Sequence, residues 1–154
     1  MITVIFNLTS YKKPYNSPLI MFYHVIYDGN CNLCVSLVQQ MEKIDQGAQF
    51  DYIPMQDQAS LNQFGITEKD CELGMILIDA KNPKKRWQGS EAAEEIACKL
   101  PLATGLIDLY RQIPGIKNLG DKLYEGIRDN RYQLFGKRKQ TYHSPYPVGC
   151  QFKQ

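Results

Sequence analysis

The sequence predicts an α/β fold in which a mixed four-stranded sheet lies between layers of helix, with a helical extension following it. Three observations carry this. Short apolar runs of strand type alternate with segments of helical period. A turn signal and a close cysteine pair join the first run to the first helix. Two strands in succession, joined by a turn, close the sheet. Of the 154 residues, 44% are apolar and 11% aromatic, enough for one packed core that needs neither disulfides nor a metal.

Residues 1–20, with Pro14 and Pro18 among Tyr, Asn and Ser, read as an irregular arm, and Met21 is a candidate start of the folded part. Phe22, Tyr23, Val25, Ile26 and Tyr27 make a buried strand that ends at Asp28-Gly29. The period then changes: Leu37, Val38, Met41 and Ile44 share one helical face, opposite Gln39, Gln40, Glu42 and Lys43, up to Gly47. Residues 50–53 make a second strand closed by Pro54, residues 58–64 a short helix stopped at Gly65, and residues 75–78 the most apolar strand. Asn82-Pro83 turns the chain so that residues 86–88 return as an antiparallel edge. Ser90 is the expected N-cap of the next helix. Glu91, Glu94 and Glu95 follow it where the helix dipole favours acids, and Ala92, Ala93, Ile96, Ala97 and Leu100 form its buried face up to Pro101.

The resulting order, β-α-β-α-β-β-α, is the thioredoxin-type arrangement, so a three-layer thioredoxin-like domain is expected over residues 21–101. Two more helices, over about 103–112 and 118–130, carry Leu106, Leu109, Tyr110, Ile113, Leu119, Leu123 and Ile127 on apolar faces. They are expected to pack on the domain as an extension over 102–136. Residues 137–154, with Pro145, Pro147 and Gly149, read as an irregular tail.

Eighteen basic against 16 acidic residues leave a formal charge of +2 and no overall nucleic-acid footprint. Residues 1–100 hold 9 basic and 12 acidic side chains, whereas residues 101–154 hold 9 and 4. This basic excess is spread along amphipathic segments, as on solvated faces. A membrane-surface role for residues 108–138 is a lesser alternative, and membrane association is not expected. Five cysteines, at 31, 34, 71, 98 and 150, make an odd count with one close pair, which argues against a secreted disulfide scaffold. Residues 1–8 are apolar but lack a basic lead and a small-residue cleavage site, and no apolar run approaches the roughly 18 residues of a bilayer span. The expected compartment is the cytoplasm.

The chemistry centres on Cys31-Asn32-Leu33-Cys34. One helical turn brings such a pair to one face, within reach of a disulfide, and the helix start places Cys31 beside unpaired backbone N–H groups. A helix N-terminus worth up to about 2 kcal/mol takes a thiol pKa from about 8.5 towards about 7. Cys31, at the helix mouth, is the expected nucleophile, and Cys34, one turn inward, the resolving thiol. Two readings stand for Asp28: a carboxylate that accepts the proton of Cys34, or part of a turn. The pair is also half of a zinc site, but Cys71, Cys98, Cys150, His24 and His143 form no second close pair. Cys71 and Cys98 read as inert thiols, Cys150 as incidentally exposed, both histidines as packed or solvated, and Trp87 as core cover.

Tyr27-Asp28-Gly29-Asn30-Cys31-Asn32-Leu33-Cys34 resembles the DCC family of thiol-disulfide oxidoreductases, named for its D-x-x-C-x-x-C pattern. The resemblance spans about residues 22–136 through Trp87-Gln88-Gly89-Ser90-Glu91-Ala92 and Asn130-Arg131-Tyr132-Gln133-Leu134-Phe135-Gly136. It implies a thioredoxin-like fold with Asp28, Cys31 and Cys34 as functional residues. In one respect the chain departs from thioredoxins and glutaredoxins. Their proline before the third strand faces the cysteines, and here that stretch reads Glu72-Leu73-Gly74-Met75, which points to a narrower partner or a shielded site. The expected function is thiol-disulfide exchange with a disulfide- or dithiol-containing protein or small thiol and no bound cofactor. The alternative is a thioredoxin-like binding module with structural or zinc-bound cysteines.

Overall fold

The structure, a computed structural model, describes residues 23–100 and 104–146. The expected arm, Met21, Phe22, the Pro101 boundary and Cys150 lie outside the described residues, as do the side chains of Leu106 and Leu109. The elements are β1 (Tyr23–Tyr27), α1 (Asn32–Asp45), β2 (Phe50–Pro54), α2 (Gln58–Gln63), α3 (Glu68–Cys71), β3 (Ile76–Asp79), β4 (Arg86–Gln88), α4 (Ser90–Lys99), α5 (Thr104–Gln112) and α6 (Ile116–Phe135). The four strands form one sheet in the order β2-β1-β3-β4. β1 runs parallel to β2, with Val25 opposite Tyr52, and antiparallel to β3, with Val25 opposite Leu77. A parallel pair needs a crossover, which α1 supplies, and the turn after β3 returns β4 antiparallel.

Strand alternation divides the core in two. Val25, Tyr27, Phe50, Tyr52 and Leu77 face Val35, Val38 and Met41 of α1 and Ala92 and Ile96 of α4. Ile26, Ile53, Ile76 and Ile78 point the other way, onto Leu61 and Cys71 of α2 and α3, with Met55 and Ile66. A sheet covered on both faces requires apolar residues at successive positions, which explains the unbroken apolar runs in β1 and β3. No helix of the described residues is long and apolar enough to cross a membrane.

Several features differ from the sequence reading, among them the α1 face, on which Leu37 and Ile44 are exposed and Glu42 is buried. α1 ends at Asp45, and Gln46 in the left-handed region caps it one residue before Gly47. Gly89, not Ser90, is the N-cap of α4, without a side-chain cap bond; its φ of 63° and its N–H bond to the Met75 carbonyl (2.9 Å) set the turn. The added helix α3 is one turn held by a capping box between Thr67 and Asp70, too short to show a period. On α6, Leu119 and Leu123 are 65% and 63% exposed, and Ile113 before it is 44% exposed. The face turned inward keeps the expected Ile127 but otherwise carries Tyr124, Arg128 and Arg131, because polar anchors outweigh leucine count on this helix. Residues 137–146 have no helix or strand, yet they are tied over the β1–α1 turn: Arg138 N–H bonds the Asn30 carbonyl (2.7 Å) and Tyr142 N–H that of Gly29 (2.9 Å).

Candidate active site

β1 delivers the chain to a tight turn, and α1 starts at once after it. Cys31 is the N-cap residue, where Ser or Asp is usual, and its sulfur accepts the N–H of Cys34 at 3.4 Å. The Cys34 thiol also hydrogen-bonds to the Cys31 sulfur, and with the N–H groups of Cys34 and Leu33 it outweighs burial and the nearby Asp28 charge. The Cys31 pKa is thereby lowered to about 6. The partner moves the opposite way: its bond to Cys31, burial and the Cys31 charge hold Cys34 in the thiol form. One proton shared unequally by two sulfurs is the state that thiol exchange requires.

The cysteines differ in access. Cys31 is 0% exposed, in contrast to the open helix mouth expected of it. Residues 135–137 cover it: Asn32 N–H reaches the Gly136 carbonyl (3.3 Å), its side-chain amide reaches the Phe135 carbonyl (2.9 Å), and Lys137 bridges Cys31 itself. Gly136 makes this approach at a φ of 84°, in the region that favours glycine. Cys34 is half-buried and lines a cavity of about 290 Å³ together with Leu33, Leu37, Met75, Ala93 and Ile127. Cys31 is not among the lining residues.

Asp28 is buried beneath α6 and fully engaged. Its carboxylate accepts from Asn30 N–H (2.9 Å), Gln56 Nε2 (2.9 Å), Arg131 Nη2 (3.3 Å) and the Tyr132 hydroxyl. Burial opposes its ionisation, but Tyr132, Gln56, Asn30 and Arg131 together hold its pKa below the ordinary value. Asp28 does make the β1–α1 turn, through its carboxylate to Asn30 N–H and its carbonyl to Cys31 N–H (3.2 Å), and as a fixed anion it also ties the end of α6 to that turn. Arg131, Tyr132, Gln56 and Tyr124 escaped the sequence reading as site residues. Their signal was the spacing of Tyr124, Ile127 and Arg131 down one face of α6, and Arg131-Tyr132 within the motif that carries the resemblance.

The remaining candidates do not join the pair. Cys71 lines the same cavity, but burial raises its pKa to about 11 and its thiol bonds the Thr67 carbonyl (3.5 Å). Cys98 is half-buried on α4. His24 pairs with buried Asp51 across β1 and β2, and His143 is exposed. Trp87 packs on the core beneath Lys85, 4.9 Å from its ring centroid. Among the described residues no three His, Cys, Asp or Glu come together as metal ligands.

A family model described as DCC1-like thiol-disulfide oxidoreductase matches residues 25–137. No curated protein and no solved structure matches the chain. The family match takes in most of β1, the other three strands, the cysteine pair and the helix that covers it, and so the chain, with a general role in thiol-disulfide redox chemistry, belongs to the DCC1-like thiol-disulfide oxidoreductase family.

Proposed function

We propose that Cys31 and Cys34 are the reactive pair and cycle between dithiol and disulfide while a substrate cycles the opposite way. The observation that carries this is the Cys31 sulfur at the N-cap of α1, receiving N–H and S–H donors that favour its thiolate near neutral pH. A protein sulfur attacks a substrate disulfide, forms a mixed disulfide and releases one substrate thiolate. The second protein sulfur then attacks the first, closes the Cys31–Cys34 bond and releases the other, so two electrons pass to the substrate. Run backward, the cycle oxidises a substrate dithiol. The substrate is a disulfide- or dithiol-containing protein or small thiol, and the exchange needs no bound cofactor. Asp28 acts as a positioning residue: with its lone pairs already engaged it is a poor base, and it holds Arg131 and Tyr132 over the pair.

The test reads the thiolate directly, because Cys31 is covered against bulky reagents. The ultraviolet absorbance of the reduced protein's thiolate is expected to rise with a midpoint near 6, and to be lost in Cys31→Ser. Mild oxidation is expected to give one disulfide, mapped by peptide mass to Cys31 and Cys34. A midpoint near the free-cysteine value of about 8.5, or failure of that disulfide to form, overturns the proposal.

A further inference from the structure

Only one sulfur of the pair meets open space. Cys31 is sealed by the chain at 135–137, whereas Cys34 faces the cavity between α1, α4 and α6. The cavity has a volume of about 290 Å³. That is at the small end of ligand pockets. Its walls at Leu33, Leu37, Met75, Ala93 and Ile127 are apolar. The charges beside them are already paired, Arg131 with Asp28 and Arg128 with Asp129. A peptide would seek main-chain partners at the entrance of β3, but there the Met75 N–H donates to the Tyr124 hydroxyl (3.4 Å) and the Met75 carbonyl accepts from Gly89 (2.9 Å).

Resting on the exchange chemistry proposed above, we propose that this cavity is the substrate pocket, that it takes a small aliphatic dithiol or its cyclic disulfide, and that the substrate sulfur bonds to Cys34. In the direction that reduces the protein, one substrate thiolate attacks the Cys34 sulfur. The Cys31–Cys34 bond breaks, and Cys31 leaves as a thiolate held by the α1 N–H groups. A thiolate stabilised in this way is the better leaving group. The second substrate thiolate then attacks its own bound sulfur, closing the cyclic disulfide and expelling Cys34. Two electrons pass from substrate to protein. Of the two substrate thiol protons, one ends on Cys34 and the other in solvent.

The test starts from protein oxidised to the Cys31–Cys34 disulfide. It compares the rate of reopening by dihydrolipoamide, by dithiothreitol, which also closes to a cyclic disulfide but carries hydroxyls and no aliphatic chain, by reduced glutathione and by a dithiol peptide with apolar flanks. Dihydrolipoamide is expected to exceed dithiothreitol about tenfold from burial of its chain. Ala93→Phe, which fills the cavity, is expected to bring that ratio close to one, and Leu37→Gln, at a half-exposed rim position where folding is not at stake, to lower it. A straight-chain alkyl pyridyl disulfide is expected to label Cys34 in Cys31→Ser and to leave Cys31 unlabelled in Cys34→Ser. Equal rates for the two dithiols, the peptide reacting fastest, a preference that survives both wall variants, or the reverse labelling overturns the pocket assignment while the exchange reading stands. If no Cys31–Cys34 disulfide can be prepared, the exchange reading falls and takes the pocket with it.

Discussion

Asp28 shows how much one side chain decides at this site. Its negative charge lies near two sulfurs, one of which is to be ionised, and so it opposes the Cys31 thiolate. The opposition is tolerated because the Cys34 thiol and the N–H groups of Cys34 and Leu33 outweigh it at Cys31, while the same carboxylate gathers Tyr132, Gln56, Asn30 and Arg131. Asp28→Asn keeps much of the hydrogen bonding but loses the anion. The Cys31 absorbance midpoint is therefore expected to fall below the wild-type value, while stability drops by about 1–3 kcal/mol as Arg131 loses a buried partner. Thiolate absorbance and urea unfolding check the two halves. A midpoint that rises would mean that Asp28 supports the thiolate, contrary to this electrostatics.

Among the elements, α6 is the one whose placement makes the site. It has no fully buried residue, so apolar burial alone does not seat it. Polar anchors do: Arg131 and Tyr132 on Asp28, the Tyr124 hydroxyl on Met75, and Arg128 on the Leu73 carbonyl (3.3 Å). The close approach at Tyr124 requires glycine at 74, where φ is 114° and an added Cβ would lie 2.7 Å from the Tyr124 hydroxyl and 3.0 Å from the Gly89 Cα. Gly74→Ala is accordingly expected to destabilise the protein by about 1–3 kcal/mol. Adding Tyr124→Phe is expected to recover only part of this, since the backbone strain and the Gly89 contact remain. Denaturant midpoints of the single and double variants decide it, and a Gly74→Ala protein as stable as wild type would show that α6 is free to shift.

For the molecule as a whole, the two thiols make stability depend on pH and redox state together. Cys31 has a folded pKa near 6, below its unfolded value, so the stability it contributes is complete above about 8.5 and is lost as pH falls through 6. Cys34, held protonated in the fold, acts oppositely and removes stability only above its unfolded value. The reduced protein is thus expected to gain stability between about pH 6 and 8.5 relative to the oxidised protein, in which neither sulfur titrates. Parallel unfolding curves for the two forms across that window check this. A constant difference would show that Cys31 is not ionised in the folded protein.

The sequence alone was enough for the four strands, the helices other than α3 and the cysteine pair. Short apolar strand runs, the Asp28-Gly29 turn and the C-x-x-C spacing are local signals, and local backbone preference plus one-dimensional patterning carries them. Ser90 misled because capping propensity at one position yielded to the turn that Gly89 makes against Met75. The covering of Cys31, the seating of Arg131 and Tyr132 on Asp28 and the cavity beside Cys34 were decided by tertiary structure. Each joins residues far apart along the chain, as Asp28 and Tyr132 are 104 apart, and the orientation of α6 comes from a few directional hydrogen bonds that no hydrophobic period reports.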